Sequence, residues 1–122
     1  MNETADLNLV LALILPEDAL KRRATAHVAH RSKLQMPFSV GLELLFVATK
    51  HSLRHVLALG AAEAHFEVER REVLYTAAEA LDSGDAPSVF DAVHLADALH
   101  RGGSLHTADE RLHGTPFPTT PF

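Results

Sequence analysis

Val89-Phe90-Asp91-Ala92-Val93-His94-Leu95-Ala96-Asp97-Ala98-Leu99-His100-Arg101, closed by Gly102-Gly103 and followed by Ser104-Leu105-His106-Thr107-Ala108-Asp109, is the stretch whose reading decides the fold. The first part reads as a helix, and two successive glycines are strong C-terminal stop residues. Ser104 to Ala108 is too short for another helix and reads as a buried strand. Beyond it, Thr107 and Glu110 stand at capping-box spacing and open one last short helix that ends at Gly114. Helix, strand and helix in quick succession is the pattern of an α/β chain.

The same alternation extends outward. Upstream, Asp82, Ser83, Gly84, Asp85 and Pro87 are turn signals, preceded by a helical stripe of Val73, Leu74, Ala77, Ala78 and Leu81. Phe66 to Val68 suits a short strand. Leu53, Val56, Leu57, Gly60, Ala61 and Ala64 recur at three- and four-residue spacing and predict one apolar helix face. Pro37 breaks the chain, and Ser39 is the expected N-cap of a helix through Gly41 to about Lys50. Pro16, Glu17 and Asp18 suit the first turn of a helix carrying Leu20, Ala24 and Val28, and Leu7 to Leu15, directly after Asp6, reads as a buried helix. The tail from Thr115 to Phe122 holds three prolines and is expected to be extended or loose. These segments predict an α/β sandwich with a mainly parallel sheet, as a single domain over residues 1–122 without repeats or linkers.

Composition narrows the function. A chain of 122 residues, 47% hydrophobic, can bury one core unaided. The absence of cysteine excludes disulfide scaffolds, thiolate zinc sites and cysteine nucleophiles. The longest apolar run, Leu7 to Leu15, falls well short of the roughly 20 residues of a membrane span. Acids rather than bases precede it, unlike a secretory signal. Cytoplasmic residence without a membrane is the expectation. A net charge of −5 argues against gripping nucleic acid over the whole surface. Yet Ala19 to Leu42 contains no acid, and Lys21, Arg22, Arg23, Arg31 and Lys33 there supply five of the eleven basic residues. They are candidates for phosphate contacts, or else one solvated helix face.

Most acids sit where charge costs little, but four stand out. Glu43 interrupts the apolar run Val40 to Val47, where an unpaired buried carboxylate would cost several kcal/mol, on the order given by transfer energies. A cation, a basic partner or protonation would compensate it; exposure of Glu43 on an otherwise apolar helix is the alternative. Asp91 lies between apolar neighbours, although Ser88 and Asp91 also match a capping box. Asp109 follows a strand, where parallel sheets place ligands, and also begins a helix, where the dipole favours an acid. Asp6 has the N-cap position before Leu7 as its structural alternative.

The order Asp6-Leu7-Asn8, Glu43 in an apolar helix, Phe90-Asp91-Ala92-Val93-His94-Leu95-Ala96 and Leu105-His106-Thr107-Ala108-Asp109 resembles the PIN-domain ribonucleases, above all the VapC-type toxins of toxin–antitoxin pairs. The resemblance covers most of the chain. It implies a three-layer α/β/α sandwich, an acidic cluster of Asp6, Glu43, Asp91 and Asp109 holding Mg²⁺ or Mn²⁺, and RNA as substrate. Asn8 matches a polar position that orders the cluster. An antitoxin protein and a homodimer are the implied partners. The start departs from the pattern: Met1 to Ala5 is polar and Leu7 replaces a hydroxyl residue, so a frayed or shortened first strand is expected.

An all-oxygen site without thiolates suits a hard cation. His51 and His55 have the i, i+4 spacing of a helical zinc pair but no third ligand at motif spacing. His94, one turn after Asp91, either reaches the cluster or packs, with packing favoured, and Asp97 is expected on a different, exposed face. No Gly-rich phosphate loop or serine-nucleophile elbow is present. The leading expectation is therefore a metal-dependent endoribonuclease; the alternatives are a PIN-like binding or assembly module with an eroded site, an RNA-processing factor and an unrelated metal-binding α/β domain.

Overall fold

The computed structural model of the protein describes residues 3–122; Met1 and Asn2, part of the segment expected as a shortened first strand, lie outside the described residues. The chain divides into two units, Met1–Glu69 and Arg70–Phe122. No helix among the described residues is long and apolar enough to cross a membrane.

In the first unit the elements are α1 (Leu7–Ile14), α2 (Lys21–Val28), β1 (Leu34–Met36), α3 (Phe38–Lys50), α4 (His55–Glu63) and β2 (Phe66–Val68). β1 pairs with β2 in parallel, Leu34 opposite Phe66 and Met36 opposite Val68. Thr4 bridges Gln35 in parallel, with Ala5 N–H donating to Gln35 O and Gln35 N–H to Glu3 O, both at 2.9 Å. The expected first strand is thus reduced, among the described residues, to a single bridge. Val10, Met36, Leu44, Leu45, Leu59 and Phe66 are fully buried.

Local chemistry moves several boundaries. Pro16 and Glu17 lie in a turn and Asp18 accepts from Leu20 N–H at 2.8 Å, so α2 begins only at Lys21 rather than with an acidic first turn. α3 starts at Phe38 behind Pro37, with no cap from Ser39; Phe38 N–H, an orphan donor of the first turn, goes to Glu69 Oε1 at 3.0 Å. α3 ends at His51, Ser52 takes a left-handed φ of 54°, and Leu53 N–H returns to Ala48 O at 2.8 Å. That turn sets the phase of α4. Its buried face is His55, Ala58, Leu59 and Ala62, whereas Leu53 and Leu57 of the expected stripe are exposed. In a helix apolar on nearly every side, spacing alone does not choose the face.

The second unit holds α5 (Arg71–Ser83), α6 (Val89–His100), β3 (Leu105–Thr107), α7 (Glu110–His113) and β4 (Thr119–Pro121). α5 and α6 pack through small residues: Ala77, Ala78 and Ala80 are buried on one, Ala92 and Ala96 on the other, beside Val73, Leu74, Val93 and Leu95. Gly84, at φ 79°, closes α5 in the left-handed conformation that L side chains resist. The proline-rich tail becomes β4, parallel to β3 with Leu105 opposite Thr119. His113 fastens the pair: its Nε2 lies 3.0 Å from Thr107 O, so that nitrogen donates, and Nδ1 lies 2.6 Å from Thr119 Oγ1. Short parallel strands between helices give the expected α/β fold.

Candidate functional site

Three of the four acids singled out by sequence occupy helix starts. In the second unit, Ser88 caps α6: its Oγ accepts from Asp91 N–H at 3.2 Å and donates to Asp91 Oδ2 at 2.7 Å. That pins the Asp91 carboxylate in the first turn. Asp109 is itself the N-cap of α7, immediately beyond β3, and its Oδ1 accepts from Arg111 N–H at 3.0 Å. Thr107, read from the sequence as the cap, instead accepts from Asp109 N–H at 3.0 Å and so fixes the backbone that carries the acid.

These two carboxylates share a cation. Arg111 donates from Nε to Asp109 Oδ1 at 3.0 Å and from Nη2 to Asp109 Oδ2 at 2.6 Å, and the same Nη2 stands 3.9 Å from Asp91 Oδ2. The hydrogen bonds from the Arg111 side chain hold Asp109 below the usual carboxylate range, against a smaller opposing effect of burial. Asp91 and Asp109 are both partly shielded, whereas the Arg111 side chain is 67% exposed. Two oxygen-only anions gathered on one positive nitrogen form a donor set that a hard divalent cation also fits. Within each unit, no three His, Asp or Glu side chains among the described residues form a group able to hold a metal by itself.

In the first unit, Asp6 is the N-cap of α1 and accepts from Leu9 N–H at 3.1 Å. Glu43 corrects the sequence reading: it is exposed, because α3 buries Val40, Gly41, Leu44, Leu45 and Ala48 and turns Glu43 off that stripe. No buried charge therefore needs compensation there.

The basic stretch has a partly structural use. Lys21 donates to Leu13 O at 2.7 Å at the end of α1, Arg31 to His27 O at 2.8 Å, and Lys33 to Glu63 O at 3.2 Å. Cations at helix C-termini satisfy carbonyls that the helix leaves open. Arg22 and Arg23 are exposed. Asn8, Arg23 and His27 border one cleft of about 220 Å³ between α1 and α2.

The histidines do not form the zinc pair. His51 ends α3 and His55 begins α4, where it is buried with Nε2 2.7 Å from Thr49 Oγ1, so the two do not share a helix. His94 is exposed and stacks on Phe90, ring centres 6.5 Å apart, in line with packing. Asp97 is the second correction, since it is half-buried: it accepts from Arg70 and, at 3.0 Å, from Arg101. Arg111 is what sequence reading missed; an arginine two residues beyond an N-cap aspartate was the available signal.

Neither the curated proteins nor the solved structures contain a significant match to the chain. The sequence model of the PIN domain matches residues 5–118, running across both units. With that share of its 122 residues matched, the chain belongs to the PIN domain family, whose members are generally nucleases that use divalent metal ions.

Proposed function

We propose that the protein is a divalent-metal-dependent endoribonuclease, and the toxin of a toxin–antitoxin pair. The observation that carries the reading is the gathering of Asp91 and Asp109 on one guanidinium, in a chain of a nuclease family. Asp91 and Asp109 would hold Mg²⁺ or Mn²⁺, while Asp6 and Glu43 enter as further ligands through the resemblance. When bound, such an ion polarises a phosphodiester and lowers the pKa of water. The chain's own part is placement. Ser88 and Thr107 fix the two carboxylates, and Arg22, Arg23 and Asn8 offer exposed groups to the sugar-phosphate backbone; Lys21, Arg31 and Lys33 add positive charge nearby in sequence. RNA as substrate, an antitoxin, a homodimer and cytoplasmic residence belong to the same proposal.

The test is incubation with single-stranded and structured RNAs in Mn²⁺ or EDTA, beside Asp91→Asn. Cleavage is expected in Mn²⁺ only and is expected to drop by about two orders of magnitude or more in the variant, the scale of losing one electrostatic catalytic group. Cleavage that survives EDTA or the substitution refutes the mechanism. No cleavage of any RNA, with no rise in melting temperature on adding Mn²⁺, returns the chain to a binding role.

A further inference from the structure

Arg111 has two neighbours of opposite use. On one side it engages both oxygens of Asp109 and approaches Asp91. On the other it borders a cleft of about 300 Å³ whose walls also include Gly84, Asp85, Pro87, Gly114 and Thr115. Asp85 is exposed and accepts one hydrogen bond, from Ser83 at 2.9 Å. A long, mostly exposed cation thus borders open space that carries another carboxylate.

We propose that Arg111 is a resident counter-ion of the Asp91–Asp109 pair, which an incoming divalent cation displaces into this cleft toward Asp85. The inference rests on the metal-dependent reading above. Two like-charged carboxylates held by Ser88 and by the N-cap geometry repel one another unless a cation lies between them. Arg111 supplies that cation. A divalent ion competes with the guanidinium for the Asp109 oxygens and repels its like charge, so metal binding works against the arginine fork. Asp85 then lowers the cost of release by offering a second partner across the cleft, whose lining also includes Pro87 and Pro116 and, without side chains, Gly84 and Gly114. Arg111 acts through Asp109 and is a positioning residue.

The experiment is calorimetric titration of Mn²⁺, without RNA, into the full chain and into Arg111→Ala, Arg111→Gln, Asp85→Asn, Arg111→Ala/Asp85→Asn and Asp109→Asn, each checked by circular dichroism. Removing the competing charge is expected to tighten Mn²⁺ binding about fivefold, the scale of an exposed ion pair. Asp85→Asn is expected to weaken it about twofold in the native background and to have no effect once Arg111 is gone. Arg111→Gln removes the charge while retaining a polar side chain with the same Cβ–Cγ–Cδ stem, and gives the same direction should the alanine variant fold poorly. Unchanged or weaker binding in both Arg111 variants, with binding abolished in Asp109→Asn, overturns the counter-ion while leaving the metal reading intact. An Asp85 effect that persists without Arg111 overturns the transfer. No Mn²⁺ binding by any variant removes both.

Discussion

Asp97 shows how one side chain ties distant parts of the second unit together. Arg70, in the left-handed conformation at φ 53° just before α5, reaches it from one side, and Arg101 reaches it from one turn further along α6. Partial burial works to raise its pKa, but the hydrogen bonds from Arg101 and Arg70 and their charges outweigh it, so the carboxyl is held below its ordinary value. The sign follows directly. A depressed folded pKa contributes stability that is present above the unfolded value, about 3.9, and is lost as pH falls through the folded one. Asp97→Asn is expected to lower stability at neutral pH by about 0.5–1 kcal/mol, as for partly exposed ion pairs. The difference should shrink as pH drops below about 4, measured by urea unfolding across pH. A pH-independent difference would count against the ion pairs. The i, i+4 spacing to Arg101 was readable in the sequence; the partnership with Arg70, across α5, was not, because only tertiary packing brings it in.

At the level of elements, α4 offers the sharpest contrast between neighbours. Leu59 is fully buried and Leu57 is 62% exposed, although both are leucines two positions apart. Leu59→Ala is expected to destabilise the protein by about 2–4 kcal/mol, while Leu57→Ala stays within about 0.5 kcal/mol; thermal or urea unfolding decides. Equal effects would mean that the helix sits in a different phase. Where the pattern had contrast, it was legible: in α5, Val73, Leu74, Ala77 and Ala78 of the expected stripe are all buried, and α6 and β3 lie where the glycine pair placed them, although β3, expected to be buried, is half-buried at Leu105 and Thr107 and exposed at His106. Where nearly every position is apolar, as in α4, the phase came from the Ser52 turn. β1 was missed because Leu34, Gln35 and Met36 are three residues with no flanking alternation to mark them. Glu43 misled for the opposite reason: an apolar run suggested burial on all sides, while α3 buries only one.

For the molecule as a whole, the charge distribution makes a separable claim. The net charge is −5, so the RNA binding proposed above would rest on a local set of cations. Lys21, Arg31 and Lys33 are each bonded to a backbone carbonyl, whereas Arg22 and Arg23 project into solvent. Arg22→Ala/Arg23→Ala is expected to reduce the slope of log affinity against log salt by about 0.7 per lost phosphate contact. Lys21→Ala should chiefly lower the melting temperature by uncapping α1, with little change in slope. A slope unaltered by the double substitution would remove these arginines from the interface. The family was legible from the acids and their neighbouring residues, which the match over residues 5–118 supports, whereas the arginine set against Asp109 depends on side-chain geometry that no spacing rule supplies.

The placement of Asp6, Asp91 and Asp109 at helix starts also bears on inheritance. Each hydrogen-bonds its own helix terminus, so a descendant that had ceased to cut anything would still gain from retaining it. Glu43 has no such local duty on the exposed side of α3. Under the proposed role of Glu43 as a further ligand, drift would reach it first, which would make the residue at that position the better witness to whether a lineage still needs its chemistry.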